Sequence, residues 1–300
     1  MEASRATATA PLPFAGARQV VSDYVTLTKP KVQLLLLLTT VTTMYVAGDP
    51  SLGLVALTVI GGSLSAGGAA AVNHYYDRDI DAKMARTATR PVPSGRVSPR
   101  AALAYGIVLQ ALSFALLSLA VNLLSACLAL AGFLGYVLVY TIWLKRRTAQ
   151  NIVIGGAAGA VPPLVGWAAV TGHLGPVAPY LFAIVFFWTP PHFWALSLLM
   201  KDEYARVGVP MMPVVHGEGE TRRQILLYTV LLTILTLLPV AFGFFGAIYA
   251  VAALVLGARF ITLAVRLQRR ADRASALRVY LYSLAHLALL FAAMVLDARL

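Results

Sequence analysis

Nine long stretches of this chain carry almost no charge, and that pattern limits what it can fold into more than any other feature. They cover residues 32–47, 51–72, 101–121, 123–143, 151–170, 178–198, 224–243, 247–265 and 279–296. A helix rises 1.5 Å per residue and needs about 20 apolar residues to cross roughly 30 Å of hydrocarbon, which each stretch approaches. The first is short, but Lys29 and Lys31 can snorkel and Leu27 can extend it toward the interface. With 59% hydrophobic and 12% charged side chains, a soluble domain would carry more apolar surface than it could bury. The expected fold is all-α, a polytopic membrane protein with about nine transmembrane helices.

The formal charge of +12 suggests a nucleic-acid partner until its distribution is read. Lys and Arg gather in the N-terminal arm and in the loops after the second, fourth, sixth and eighth stretches. The opposite loops, around Gly48–Pro50, Asn122, Thr171–Val177 and Gly243–Gly246, contain none, and Arg299 stands outside the pattern. This asymmetry predicts a cytoplasmic N-terminus and cytoplasmic basic loops in the inner membrane, with the C-terminus outside and no nucleic-acid role. Cys127 lies in an apolar stretch and reads as a small core residue. Residues 1–18, rich in Ala, Thr and Pro, read as a flexible arm, and 19–300 as one transmembrane domain. A short interfacial helix is expected near Ala17–Thr28, ended by Lys29-Pro30.

Two large loops lie four helices apart and so emerge on the same face. The first opens with Asn73-His-Tyr-Tyr-Asp77-Arg-Asp-Ile-Asp81. Its four-residue spacing puts Asn73, Asp77 and Asp81 within about 80° of helical arc over roughly 12 Å, while Asp79 points elsewhere. Carboxylates stacked on one face repel unless a cation or a basic partner sits between them. Hard oxygen ligands of this kind suit Mg²⁺, which shares its remaining positions with water and substrate phosphates. The plainer alternative is a solvated helix end balanced by Arg78, Lys83 and Arg86. The basic loop that follows, with Lys83, Arg86, Arg90 and Arg96 among Pro91, Pro93, Gly95 and Pro99, favours a magnesium-bound diphosphate. The second loop repeats the theme with Lys201, Asp202, Glu203, Tyr204 and Arg206, and its carboxylates could hold a second metal ion.

Tyr75, Tyr76, Tyr140, Trp143, Trp188, Phe193, Trp194 and Tyr204 gather near these loops, either as interface and packing residues or as ring faces for a developing carbocation. His192 follows Pro190-Pro191, which should break or kink its helix and leave a polar group lining a cavity. Packing accounts for it equally well. His74 stands beside the acidic face. Asn151 could face the same cavity, while the preceding Lys145-Arg146-Arg147 reads simply as a positive-inside signal.

These motifs resemble the UbiA-type intramembrane prenyltransferases, and among them the branch that farnesylates protohaem IX. The resemblance rests on Asn73-x-x-x-Asp77-x-x-x-Asp81, Arg86-Thr-x-x-Arg90-Pro91 with Ser94-Gly-Arg96-Val-Ser-Pro99, Tyr140-Thr-x-x-Leu-Lys-Arg-Arg-Thr-x-x-Asn151-Ile, Trp188-Thr-Pro-Pro-His192-Phe-Trp194 and Lys201-Asp-Glu-Tyr-Ala-Arg206 through Pro213. It covers roughly residues 20–300. It implies a UbiA-like bundle around a cavity open to the cytoplasm and laterally to lipid. Mg²⁺ would be held by Asn73, Asp77 and Asp81, with Asp202 and Glu203 forming the second acidic motif. Asp77, Asp81, Lys83 and Asp202 would be catalytic. Asn73, Lys83, Arg86, Arg90, Arg96, Lys201 and Arg206 would hold the diphosphate. His192, Tyr140, Asn151, Trp188, Trp194, Tyr204 and His74 would contact haem or the prenyl chain. Where the wider family often places a second Asp four residues after the first in this motif, Arg206 follows Asp202, which unsettles the second metal's ligand set.

The implied reaction joins farnesyl diphosphate to the 2-vinyl group of haem b, giving haem O and pyrophosphate. Membrane lipid would deliver the substrates, with haem A synthase or oxidase assembly factors as partners. Two rivals remain. Prenylation of a quinone precursor or other aromatic acceptor shares the same physical arguments. A non-catalytic haem or ion transporter would use the acidic residues as an ion path, but both motifs sit at one face rather than at mid-membrane.

Overall fold

The computed structural model describes residues 16–300; the expected arm lies, as far as residue 15, outside them. Among the described residues, nine helices are long and apolar enough to span a bilayer, and the protein is a multi-pass membrane protein. The chain opens with α1 (Ala17–Leu27), α2 (Pro30–Ala47), α3 (Leu52–Tyr76) and the short α4 (Arg78–Lys83). After α5 (Pro99–Ala120), α6 (Leu123–Leu134) continues as a π-helix over Gly135–Leu144. Next come α7 (Asn151–Gly159) and α8 (Val161–Thr171), which together make one span, then α9 (Val177–Leu199), α10 (Lys201–Arg206) and α11 (Met212–Val215). Three long helices finish the bundle: α12 (Gly217–Ala241), α13 (Ala247–Arg270) and α14 (Arg273–Arg299).

Caps start several of these helices where the sequence places small polar residues. The Ser51 and Ser98 hydroxyls accept from the backbone amides of Leu54 and Ala101, Asn122 Oδ1 from Ser125, and Asp272 Oδ1 from Ser275. Inside the bundle there is little hydrophobic force between helices, so small residues govern close approach. The crossing of α3 and α5 is reciprocal: a Cβ on Gly68 would lie 2.6 Å from the Gly106 carbonyl oxygen, and one on Gly106 would lie 2.7 Å from that of Gly68. The largest core fills the space among α9, α12, α13 and α14 with Trp188, Trp194, Tyr249, Phe260 and Phe291.

The helix expected near Ala17–Thr28 is present as α1, with Val20, Val21 and Val25 exposed. Its buried Asp23 is held by Arg96. Arg299, the exception to the charge asymmetry, donates to Asp49 and to the Gly48 carbonyl across the face that otherwise lacks cations. Arg259 is a second exception, exposed on α13 within the eighth span. Contrary to the expected break, α9 runs as one helix through Pro190-Pro191. The prolines deprive only the carbonyls of Phe186 and Phe187 of their helical donors.

Candidate active site

The acidic face forms at the junction of α3 and α4. Helical hydrogen bonding passes through it, from the Asp77 amide to the Asn73 carbonyl (2.9 Å) and from the Asp81 amide to the Asp77 carbonyl (2.8 Å). The four-residue register therefore survives the change of helix, and Asn73, Asp77 and Asp81 are all buried. Buried carboxylates need partners. Asp77 Oδ2 accepts from Asn73 Nδ2 at 2.7 Å and from the Lys145 ammonium, and Arg146 stands 3.6 Å from Oδ1. Asp81 accepts from Arg90 at 2.7 Å, with His74 Nδ1 at 4.0 Å. Lys29 donates to Asn73 Oδ1 at 2.8 Å. The Arg146 guanidinium grips Asp79 with two bonds of 2.8 and 2.7 Å and holds that carboxyl down at about 2. The same contact raises Arg146.

Lys29, Lys145 and Arg146 are therefore members of this cluster, and none was assigned to it from sequence. Lys29 joins α1 to α2 in the left-handed region, φ 53° and ψ 55°, which costs a non-glycine residue about 1–2 kcal/mol. Burial, followed by the nearby Arg90 and Lys145 charges, lowers its amine to about 7. Lys145 reaches Asp77 through the π-helix, whose register is closed by the Lys145 amide on the Tyr140 carbonyl at 2.8 Å. The same segment sets Thr141 Oγ1 3.2 Å from Asn73 Nδ2. Asn151 does not bond any member of the acidic face; its Nδ2 donates to the Thr148 and Lys145 carbonyls and so braces the turn carrying Lys145.

The two loops meet through a small apolar core, Ile80 and Met84 from the first and Val209 and Met211 from the second, with Tyr140 and Tyr204 packed against it. Burial pushes the Tyr204 phenol up, while Lys145, Arg86 and Arg90 are near enough to oppose the shift. Glu203 Oε2 is buried without a hydrogen-bond partner, whereas Asp202 and Arg206 are exposed. Glu203 is thus the better-placed inward carboxylate of the second motif. Lys201 is engaged by Glu218 at 3.1 Å. Arg96 binds Asp23 and the Thr89 carbonyl rather than the acidic face, so it acts as a strut between α1 and the first loop. Exposed Lys83 lines a cavity of about 100 Å³ with Asp79, Ile80, Arg146 and Val207–Val209. Arg86 is also exposed. Among the described residues no group of three or more His, Cys, Asp or Glu side chains is gathered for a metal; cations separate the carboxylates instead.

Of the aromatic set, Tyr140 lies so close to α7 that a Cβ on Gly155 would sit 2.4 Å from its ring. Tyr136 is 5.4 Å from it, centroid to centroid. Trp188 and His192 stack on each other at 4.4 Å, while Trp194 turns toward Tyr228 and the α12 side of the core.

The sequence profile of the UbiA prenyltransferase family matches residues 36–291. A protoheme IX farnesyltransferase of Roseiflexus castenholzii is 56% identical over 284 residues, 94% of this chain and 53% of that protein. One from Symbiobacterium thermophilum is 55% identical over 283 residues, 93% of this chain and 95% of that protein. The chain spans about half the length of the first curated relatives it matches, 51–53%. Among solved structures, a digeranylgeranylglyceryl phosphate synthase aligns over 94% of this chain and 100% of its own, with a TM-score of 0.77 at 18% identity. A UbiA homolog from Archaeoglobus fulgidus, bound to DMAPP and Mg²⁺, aligns over 91% and 99% with a TM-score of 0.68 at 19% identity. The helical bundle, its buried Asn-Asp-Asp face and the profile match over most of its length agree: the chain belongs to the UbiA prenyltransferase family.

Proposed function

We propose that this protein transfers the farnesyl group of farnesyl diphosphate to the 2-vinyl group of haem b, giving haem O and pyrophosphate. One observation carries the reading: a buried carboxylate face ringed by Lys29, Arg90, Lys145 and Arg146 is built to hold a polyanion and its counter-cation at the end of an apolar bundle. The names of the protohaem-farnesylating relatives support haem as the acceptor over a quinone precursor. The residues also fit a divalent cation, because Asp77 Oδ1 and Glu203 Oε2 are buried carboxylate oxygens without hydrogen-bond partners. Asn73, Asp77, Asp81 and Glu203 would hold Mg²⁺, with Asp202 at the rim. When bound, the ion supplies Lewis-acid stabilisation to the departing diphosphate.

The chain's own groups do the rest. Lys145 and Arg146 leave Asp77 for phosphate oxygens, Arg90 and Lys29 neutralise the outer charge, and Arg86 and Lys83 guard the mouth. Breaking the allylic C–O bond sends its electron pair to pyrophosphate. The ring faces of Tyr140 and Tyr136 stabilise the cation left on the prenyl carbon and keep water away from it. The vinyl π pair then forms the new C–C bond, and water adds to the resulting cation with loss of one proton. The basic face lies on the cytoplasmic side of a bacterial inner membrane and the C-terminus outside. To test the reading, purified protein is incubated with Mg²⁺, farnesyl diphosphate and an equimolar mixture of haem b and a hydroxybenzoate. Farnesylated, hydrated haem is the expected product by mass; a prenylated benzoate alone, or no product, refutes it.

A further inference from the structure

We propose that His192 Nε2 is an axial ligand to the iron of the porphyrin substrate; the inference rests on the haem-farnesylating function above. Ser283 fixes the tautomer of the ring. Its hydroxyl has one proton, which it donates to the Tyr280 carbonyl at 2.6 Å. Toward His192 Nδ1, 2.7 Å away, Ser283 Oγ therefore accepts, and Nδ1 carries the imidazole proton. That leaves the lone pair on Nε2. A neutral histidine whose other nitrogen donates to a fixed oxygen is the form that ligates metals.

The ring is also held still. It lies between Trp188, at 4.4 Å and 17°, and Tyr280, at 5.0 Å and 29°, with Phe193 edge-on at 5.2 Å. Trp188 is itself tethered, since its indole N–H donates to the Ser283 carbonyl at 2.7 Å. One residue of α14 thus fixes two aromatic residues of α9. Both ring nitrogens of the other deeply buried histidines, His74 and His286, are enclosed by packing, whereas Nε2 of His192 is not among the enclosed atoms and bonds no protein group. His192 lies seven residues before the end of α9 at Leu199, about 10 Å inside the basic face at 1.5 Å per residue. This is a depth at which a flat apolar macrocycle can enter from lipid.

The test uses the full chain in detergent, ferric haem b, and no prenyl diphosphate. Wild type should give a shifted Soret band and an electron paramagnetic resonance signal of imidazole-ligated iron. His192→Gly should lose that signature while still eluting as a single species, at a lower melting temperature because the stacked ring is gone, and added imidazole should restore the signature. Ser283→Ala, which releases Nδ1, should weaken haem binding by about tenfold or more while keeping the signature. Haem binding with the same spectrum in wild type and His192→Gly overturns the ligation and leaves the farnesylation reading intact. Failure of wild type to bind haem at all overturns both.

Discussion

Replacing Lys145 with Met separates the two roles that the site assigns to this ammonium. In the resting protein it neutralises Asp77, whose side chain is 1% exposed while that of Lys145 is 14% exposed. Truncating one partner of a buried pair costs about 3–5 kcal/mol when the other is left alone. Asp77 is not left alone, because Asn73 Nδ2 still donates at 2.7 Å and Arg146 stays 3.6 Å away. A surviving charge-assisted contact is worth about 1.5–3 kcal/mol, so the net loss falls to about 1–3 kcal/mol. At about 2–4 °C per kcal/mol this lowers Tm by roughly 2–12 °C. Mg²⁺ should restore more of the Tm in the variant than it adds to wild type, since it no longer competes with an ammonium for the same carboxylate. Turnover is a different matter. Removing a fixed cation from the developing pyrophosphate should lower kcat about 10²–10³-fold even at saturating Mg²⁺. Thermal melts with and without Mg²⁺, paired with pyrophosphate release, measure both effects. An unchanged Tm, or equal Mg²⁺ shifts in the two proteins, would refute the metal-surrogate role; near-normal kcat would remove Lys145 from the reaction.

Asp77→Asn should abolish Mg²⁺-dependent pyrophosphate release while the protein still elutes as a single species, and appreciable turnover would remove Asp77 from the metal site. Gly68→Ala forces a Cβ to 2.6 Å from the Gly106 carbonyl and should cost about 1–3 kcal/mol in thermal melts. Gly62→Ala meets only Leu37 at 3.7 Å and should cost far less. Burial holds Lys29 near 7 against an ordinary 10.5. Between those values the unfolded chain is protonated at this position and the folded one is not, so stability rises with pH from about 7 to 10.5, with the full penalty present below. Lys29→Met should flatten that rise in melts taken across the window, and an unchanged slope would place the amine in water.

What sequence could reveal follows from which forces are local. The nine helices were legible because a bilayer demands length and apolarity from each of them separately. Their ends were less so: α12 begins at Gly217 rather than near 224, because its first turns carry Glu218, Glu220, Arg222 and Arg223 beyond the apolar stretch while remaining helical. The Asn73, Asp77 and Asp81 face was legible because one helical register carries it, even through the change from α3 to α4. Arg96 misled because nearness along the loop is not nearness in space; its partner is Asp23, on the far side of Lys29 in the chain. The π-helix had no sequence signal, being a choice of hydrogen-bond register rather than of composition. Lys145 and Arg146 were hidden for another reason: a cation that orients a membrane helix and one that neutralises a buried carboxylate look alike in a sequence. Counting charges in space separates them. Asp77, Asp79 and Asp81 face Arg90, Lys145 and Arg146, and Lys29 is the fourth cation, kept near neutrality on Asn73. Burial loosens the hold of Lys29 on its proton, and the negative charge of an arriving diphosphate would tighten it again.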